Sequence, residues 1–206
     1  MTTSERIIQI FDLLDDWREL PAYQLERRAD IFFALYLPEI LNQCLELGNE
    51  ITPLNIIPEF PIKKKDNNRS NKIDYVAVSL KKKTIYLIEL KTDQNSFRDK
   101  QNKYLEVAKN KNETKSLIDD FNKISRASKA VAKYMNLKHL MDASGLNHDS
   151  DIFERKIIYI LPKMIDNIEC DKIILFDDII KILNKKEEDA IAKRFVKSLE
   201  KWKISN

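Results

Sequence analysis

The fold of this 206-residue chain is decided by residues 73–91, which read IDYVAVSLKKKTIYLIELK. Residues 73–80 alternate between two faces, whereas residues 84–90 are β-branched and almost continuously apolar, as expected of a buried central strand. The three lysines between them predict a tight turn. The segment therefore predicts an antiparallel hairpin, in which the start of the first strand lies beside the end of the second.

Helices and further strands are predicted on both sides of this hairpin. Residues 24–48 predict a long helix that stops at Gly48, and residues 55–63 predict an irregular edge strand interrupted by two prolines. Residues 115–141 predict a single helix with apolar residues at heptad-like spacing. The remaining predicted elements are helices at 4–14, 97–108, 177–183 and 185–202 and strands at 156–161 and 172–176.

The order of these elements predicts a three-layer α/β architecture, because strands alternate in sequence with helices on both sides. The length fits one domain over residues 1–206. We expect its core to span about residues 24–176, with the helices at 4–14 and 185–202 as additions.

The composition excludes several function classes. The chain has 2 glycines, 2 cysteines and 2 histidines. So few glycines cannot form a Walker loop or a dinucleotide fingerprint, and Cys44 and Cys170 are too far apart to predict a zinc module or a disulfide framework. His139 and His148 lack the spacing of a metalloprotease helix. A bound metal would therefore be held by carboxylates, which favours a hard cation such as Mg²⁺.

The net charge of +3 is unevenly distributed along the chain. Residues 1–60 carry 4 basic and 11 acidic side chains, residues 61–138 carry 20 and 9, and residues 139–206 carry 12 and 13. A basic middle between acidic flanks favours a surface that faces a polyanion. A solvated surface in a lysine-rich chain accounts for the same distribution equally well, so charge alone does not decide between the two.

No targeting segment is predicted. Residues 1–6 lack the basic start and apolar core of a signal peptide. No apolar run approaches the roughly 18 residues that a membrane span needs. We therefore expect a soluble, cytoplasmic protein without a membrane partner.

Three ionisable residues of the hairpin form the candidate catalytic set. Asp74 opens the first strand, while Glu89 and Lys91 lie two apart on one face at the end of the second. If Asp74 points the same way, two carboxylates and one ammonium meet at one end of the sheet. Two carboxylates can hold magnesium over a phosphodiester, and a lysine can orient the water or stabilise charge on the phosphate.

A structural interpretation of the same residues is a carboxylate–lysine pair at a sheet end. Glu-x-Lys is a weak signal, since it begins at Glu89, Glu113 and Glu154. Only the first of these ends an apolar strand and follows a strand that begins with aspartate. A buried Glu89 is costly without a partner or metal, which favours the functional interpretation.

The segments 71–76 (NKIDYV) and 88–91 (IELK) resemble the PD-(D/E)XK nuclease superfamily, the restriction-endonuclease-like phosphodiesterases. Ile73 stands where the family usually has proline. In element order the resemblance covers about residues 24–161. It implies a restriction-endonuclease-like αβββαβ core with a mixed central sheet and extra flanking helices.

The resemblance also implies roles for individual residues. Asp74, Glu89 and the backbone carbonyl of Leu90 match the family's metal ligands, so it implies Mg²⁺ as cofactor, with Mn²⁺ as a substitute. Lys91 matches the catalytic lysine. Asp74 and Glu89 are catalytic in the same sense, because they hold the metal at the reacting phosphate.

Two weaker features match the family as well. Many members carry an acid on the helix before the first strand, a place taken here by Glu26, a candidate metal ligand, and by Asp30, a candidate accessory residue. An acid at a helix start is also favoured by the helix dipole alone. Some exonuclease branches carry Gln-x-x-x-Tyr after the lysine, and Gln101 and Tyr104 match that pattern with one residue fewer. Gln101 is equally well explained as a core hydrogen-bonding residue.

Basic residues on both sides of the set are the candidate phosphate contacts. Those before Asp74 and after Lys91 lie at the same end of the hairpin as the carboxylates, whereas the lysine turn lies at the opposite end. The candidates are Lys63, Lys64, Lys65, Arg69, Lys72, Arg98, Lys100 and Lys103.

Three functions are compatible with these patterns. The first is a Mg²⁺-dependent nuclease that acts on DNA in defence or repair, with RNA left open as a substrate. The second is a non-catalytic nucleic-acid-binding protein on the same fold, which the intact Asp–Glu–Lys set disfavours. The third is an α/β protein-interaction protein, which predicts Glu89 paired with a local lysine. No separate reading domain is visible, so we expect specificity to come from loops, a homodimer or a partner.

Overall fold

The predicted hairpin lies at the centre of a five-stranded sheet. The computed structural model describes residues 2–18, 20, 23–63, 70–93, 99–110 and 116–204, without the side chains of residues 99–101. The strands in this part of the chain are β1 (Ile56–Lys63), β2 (Ser70–Ser79), β3 (Thr84–Leu90), β4 (Glu154–Leu161) and β5 (Lys172–Leu175). The helices there are α1 (Thr3–Trp17), α2 (Leu25–Cys44), α3 (Asp99–Lys109), α4 (Leu117–Ala127), α5 (Val131–Ser144), α6 (Phe176–Leu183) and α7 (Ala190–Trp202).

The strands lie side by side in chain order, from β1 to β5. The β1–β2 and β2–β3 pairs are antiparallel, and the β3–β4 and β4–β5 pairs are parallel. The sheet is therefore mixed and open, and the predictions of an α/β fold and of an edge position for β1 are confirmed. The hairpin forms as predicted, with Ser79 opposite Thr84 at the turn and Tyr75 opposite Ile88 at the other end.

Each face of the sheet has its own hydrophobic core. One core joins Tyr75, Ile88 and Ile160 to the apolar faces of α1, α2, α6 and α7. The other joins residues such as Val76 and Leu87 to α3, α4 and α5. Because β3 lies at the centre of the sheet and is covered on both faces, all seven of its residues are buried.

Several predicted helices have different bounds in the structure. The helix predicted over residues 24–48 ends at Cys44 and not at Gly48. The single helix predicted over residues 115–141 is wrong: α4 and α5 are separated at Ser128, whose backbone is extended (φ −89°, ψ 140°). The Ser128 hydroxyl accepts a hydrogen bond from the Ala130 N–H at 3.0 Å, so a local side-chain contact replaces the helical ladder. The helix predicted over residues 185–202 begins at Ala190, where Asp189 caps it.

The alternation of side chains breaks on β1 and β2 at one level of the sheet. Pro58 pairs with Tyr75 and Phe60 pairs with Ile73, which leaves Glu59 and Asp74 opposite each other between the two pairs. Glu59 has a left-handed backbone (φ 53°), which reverses the side-chain direction locally. Ile73 and Val76, three residues apart, consequently pack into the same core. The interruption opens the sheet surface beside Asp74.

Within the described residues, no helix is long and apolar enough to cross a bilayer.

Candidate active site

The structure brings the three hairpin residues together around the ammonium of Lys91. The Lys91 Nζ lies 3.3 Å from Oε1 of Glu89, 3.9 Å from Oδ2 of Asp74 and 3.3 Å from Oε2 of Glu26. It also donates a hydrogen bond to the Leu90 carbonyl at 2.7 Å. One buried cation therefore has three carboxylates within 4 Å.

Strand pairing positions these groups. The last recorded pair of the hairpin joins Tyr75 to Ile88, so the same register places Asp74 opposite Glu89. The Leu90 N–H donates to Oδ2 of Asp74 at 2.8 Å and fixes that carboxylate across the strands. The Lys91 N–H donates to the Ile160 carbonyl at 2.9 Å, which extends the β3–β4 ladder by one residue. The backbone on both sides of the set is thus held by the sheet.

Glu89 is the most enclosed of the carboxylates. It is 1% exposed, as is Lys91. The Tyr104 hydroxyl on α3 donates to Oε1 of Glu89 at 2.9 Å, and the Lys91 ammonium contacts the same oxygen. Tyr104, predicted as an accessory residue, thus lies within hydrogen-bonding distance of Glu89.

Burial and mutual repulsion disfavour the charged forms of the two acids. Burial raises the pKa of Asp74 to about 6, although Lys91 and the Leu90 N–H act in the opposite direction. Burial, followed by the charge of Asp74, raises the pKa of Glu89 to about 7 against the opposing effects of Lys91 and Tyr104. Such raised pKa values are typical of buried carboxylates whose negative charge is only partly compensated by nearby cations.

Lys91 itself remains an ammonium. Burial alone would lower its pKa, but the charges of Glu89, Glu26 and Asp74 outweigh burial and the net pKa is raised. A lysine with a raised pKa is a poor general base near neutral pH. Its chemistry at this position is therefore electrostatic, through its positive charge and its N–H donors.

The site opens into a cleft of about 610 Å³. Acidic side chains dominate its lining, and two basic side chains, Arg27 and Lys72, lie among them. The acidic residues on the cleft wall are Glu26, Asp30, Glu59, Asp74 and Glu89. Such a wall attracts cations and repels a bare phosphate, so a polyanionic substrate needs a compensating positive charge there.

The oxygen donors fit a hard divalent cation. Asp74, Glu89 and the Leu90 carbonyl are the donor types that Mg²⁺ takes in proteins. Among the described residues, no group of three or more histidine, cysteine, aspartate and glutamate side chains is arranged to hold a metal as it stands. The Lys91 ammonium lies between the acids and compensates part of their charge. Metal binding would therefore require this ammonium to share or yield its carboxylate contacts.

The remaining predicted site residues differ in their placement. Glu26 reaches the site, with its carboxylate on Lys91. Asp30 lines the cleft with an exposed side chain, and its backbone carbonyl accepts a hydrogen bond from the Tyr75 hydroxyl at 2.9 Å. Gln101 lies on α3, and its side chain falls outside the described part of the chain.

Few of the predicted phosphate contacts can be placed. Lys72 lies on the cleft wall and forms an ion pair with Glu59. Lys63 is half-buried at the end of β1, and Lys103 is exposed on α3. The others fall outside the description, wholly or in their side chains: Lys64, Lys65, Arg69, Arg98 and Lys100.

Glu59 is a residue of the cleft that the sequence patterns missed. It lies between Pro58 and Pro61 in a strand predicted only as irregular. The prolines signalled an interruption, but no pattern indicated that the interruption would place a carboxylate opposite Asp74. Its positive φ is set by the fold and has no local sequence signature.

Comparisons with family models, with curated proteins and with solved structures gave no match for this chain. The candidate function therefore depends on the site geometry and on the motif in the hairpin.

Proposed function

We propose that this protein is a metal-dependent phosphodiester hydrolase that acts on DNA, built on a restriction-endonuclease-like core of the PD-(D/E)XK type. The observation that carries the proposal is the convergence of Asp74, Glu89 and Lys91, with the two carboxylates lining an acidic cleft. These residues are 17 positions apart at most in sequence and are joined by the hairpin register.

Each residue has a role that its geometry supports. Asp74, Glu89 and the Leu90 carbonyl would hold Mg²⁺, and a bound Mg²⁺ supplies a polarised phosphate and an activated water. Lys91 places a positive charge beside the same oxygens and stabilises charge that develops on the phosphate. Tyr104 orients Glu89 through its hydroxyl, and Glu26 orients Lys91 through its carboxylate.

The alternative is a purely structural ion pair in an interaction protein. Glu89 is indeed paired with a local lysine, as that alternative predicts. A structural pair needs only one carboxylate, however, whereas three surround Lys91 beside an open cleft. This excess of negative charge costs stability and is more readily explained by a cation that binds there.

Cleavage assays with wild type and Glu89→Gln test the proposal. Plasmid DNA, linear DNA and RNA are incubated with Mg²⁺, with Mn²⁺ or with EDTA. We expect metal-dependent cleavage by the wild type and a loss of at least about a hundredfold in Glu89→Gln. Glu154→Gln, an exposed acid at the start of β4, is the matched control and should cleave like the wild type.

Two outcomes would overturn the proposal. One is equal cleavage by wild type and Glu89→Gln, because the activity would then come from elsewhere. The other is no cleavage of any substrate by the wild type with either metal.

A further inference from the structure

A second groove adjoins the acidic cleft and has a different chemistry. It lies between β1 and α5, has a volume of about 440 Å³, and is lined mainly by apolar side chains. Pro58 and Pro61 form its β1 side, while Tyr134, Leu137 and Leu140 form its α5 side. Tyr134 is half-buried, and its ring lies 5.9 Å from that of Phe121, which braces the wall of the groove.

The groove and the cleft share a wall. Pro58, Glu59 and Lys72 line both. This shared wall is the level at which β1 and β2 break their alternation, beside Asp74. A nucleic-acid strand that leaves the cleft along β1 therefore passes directly into the groove.

The segment of α4 and α5 nearest the groove carries basic side chains only, whereas the acidic residues Asp119, Asp120 and Asp142 lie beyond its two ends. Residues 121–141 include Lys123, Arg126, Lys129, Lys133 and Lys138 and no acidic residue. Ser128, Ala130 and Lys133 line the groove, so the exposed Lys129 lies at its rim. The connection between α4 and α5 therefore lies at the groove, next to the start of α5. The surface thus adds positive charge next to the predominantly acidic cleft.

We infer that this groove binds the single-stranded part of a nucleic acid whose phosphodiester lies in the cleft. The inference rests on the nuclease function proposed above and names its substrate class. An apolar groove with an aromatic wall accepts an unstacked base, whereas the bases of a duplex are stacked and cannot enter it. Lysines at the rim contact the phosphates on either side of that base. The occupant is therefore a single strand or a single-stranded end.

Fluorescence anisotropy with a labelled oligothymidylate tests the inference. The measurements use the Glu89→Gln background with EDTA, so that no strand is cut. We expect Lys133→Glu and Leu140→Asp each to weaken binding roughly tenfold, the effect of losing a phosphate contact or a base contact. Lys138→Glu and Met135→Asp are matched controls, because they change exposed residues of the same helix that do not line the groove. We expect their affinity to stay close to that of the background protein.

The nature of the ligand is tested with two further oligonucleotides. An abasic strand of the same length should bind about 5- to 150-fold more weakly than oligothymidylate, because stacking on the groove is lost. A duplex of the same length should also bind more weakly. Equal affinity for abasic and base-bearing strands, a preference for duplex, or equal losses in groove and control variants would each overturn the inference.

A small phosphodiester separates this inference from the proposed function. Bis(p-nitrophenyl) phosphate reaches the cleft but is too short to fill the groove, so Lys133→Glu and Leu140→Asp in the otherwise wild-type chain should hydrolyse it normally. Groove-dependent binding without any hydrolysis would refute the nuclease proposal alone. If the protein hydrolyses the small phosphodiester but binds oligothymidylate equally well with and without the groove substitutions, only the inference about the groove is refuted.

Discussion

Lys91 lies where the charged groups of the candidate site converge. Its ammonium contacts three carboxylates and a backbone carbonyl while only 1% of the residue is exposed. A shorter or neutral side chain would leave Asp74 and Glu89 facing each other in a buried setting. The stability of the fold therefore depends on contacts between Lys91 and the two carboxylates, and a bound metal would have to share or replace these same contacts.

The ionised Glu89 should destabilise the protein when no metal is bound. Its pKa is raised from 4.5 to about 7 in the folded state, so folding favours the protonated form. The ionised form costs stability fully above about pH 7, and the cost disappears below about pH 4.5. We expect Glu89→Gln in EDTA at pH 8 to raise the free energy of unfolding by about 3 kcal/mol, at 1.36 kcal/mol per pKa unit.

Urea denaturation at two pH values measures this effect. At pH 4.5 the wild type and Glu89→Gln should differ little, because Glu89 is then protonated in the folded wild type and half protonated in the unfolded chain, so most of the cost is gone. A variant that is less stable than the wild type at pH 8 would contradict the prediction. It would show that the contact with Lys91 outweighs the cost of burying the charge.

At the scale of elements, the hairpin turn is tied to the end of α5 by a glycine. Gly145 ends α5 with a left-handed backbone (φ 80°), and its N–H donates to the Asp142 carbonyl at 3.2 Å. A Cβ at this position would lie 2.8 Å from Cδ2 of Leu80, at the turn between β2 and β3. The glycine thus allows the hairpin turn and the helix end to approach closely.

Alanine substitutions at the two glycines should distinguish the cost of backbone strain from the cost of a steric clash with a neighbouring side chain. Gly48 has a similar backbone (φ 66°) but nothing within 4 Å of the Cβ position, so Gly48→Ala should cost only the backbone strain of about 1 kcal/mol. Gly145→Ala should cost about 1–2 kcal/mol, because Leu80 must also move. Thermal or urea unfolding of both variants checks this order. A larger loss for Gly48→Ala would refute it.

The sequence predicted elements whose periodicity is local and missed features that depend on the whole fold. The hairpin and the central strand β3 were predictable, since alternation and β-branched residues lie within one segment. The break between α4 and α5 was not, because the stripe of apolar residues continues across Ser128 and a single hydroxyl contact ends the helix there.

The candidate site was predictable to a similar extent. Glu89 and Lys91 are two residues apart on one strand, so their proximity followed from strand geometry. The position of Asp74 did not, because alternation breaks beside it and Glu59 reverses its backbone there. The proximity of Tyr104 to Glu89 depends on how α3 packs on the sheet, which no local pattern of α3 contains.

At the scale of the whole molecule, the two ends of the described chain pack together. Asp15 of α1 accepts hydrogen bonds at 2.9 Å from Arg194, Lys201 and Trp202 of α7. It is 8% exposed, and Trp202 is 1% exposed. The terminal helices were predicted as additions to the core, yet they share one hydrophobic cluster with α2 and α6.

Asp15→Asn should destabilise the protein in a pH-dependent way. Burial alone would raise the pKa of Asp15, but hydrogen bonds from Lys201 and Arg194 outweigh burial and the net pKa is lowered. The stabilisation is therefore present above the ordinary value of 3.8 and is lost as pH falls through the lower folded value. We expect Asp15→Asn to lower the free energy of unfolding by about 2 kcal/mol at pH 7, and we expect this difference from the wild type to become smaller below pH 3.8.

Asp12→Asn is the matched control, because Asp12 contacts the same Arg194 at 2.6 Å from a side chain that is 53% exposed. Asp12→Asn should lower the free energy of unfolding by less than about 1 kcal/mol. Urea denaturation of both variants at pH 7 and pH 3 gives the comparison. Equal losses in the two variants, or a loss in Asp15→Asn that does not change with pH, would contradict the prediction.

The hydrogen bond from the Lys91 N–H to the Ile160 carbonyl makes the site dependent on the order of folding events. The β2–β3 hairpin closes locally, but β4 is a parallel neighbour that follows β3 in the chain only after α3, α4 and α5. During synthesis the acids and the lysine therefore leave the ribosome long before the strand that fixes Lys91. The site therefore acquires its final geometry only when β4 joins the sheet, so the proposed activity would appear late in the folding of each molecule.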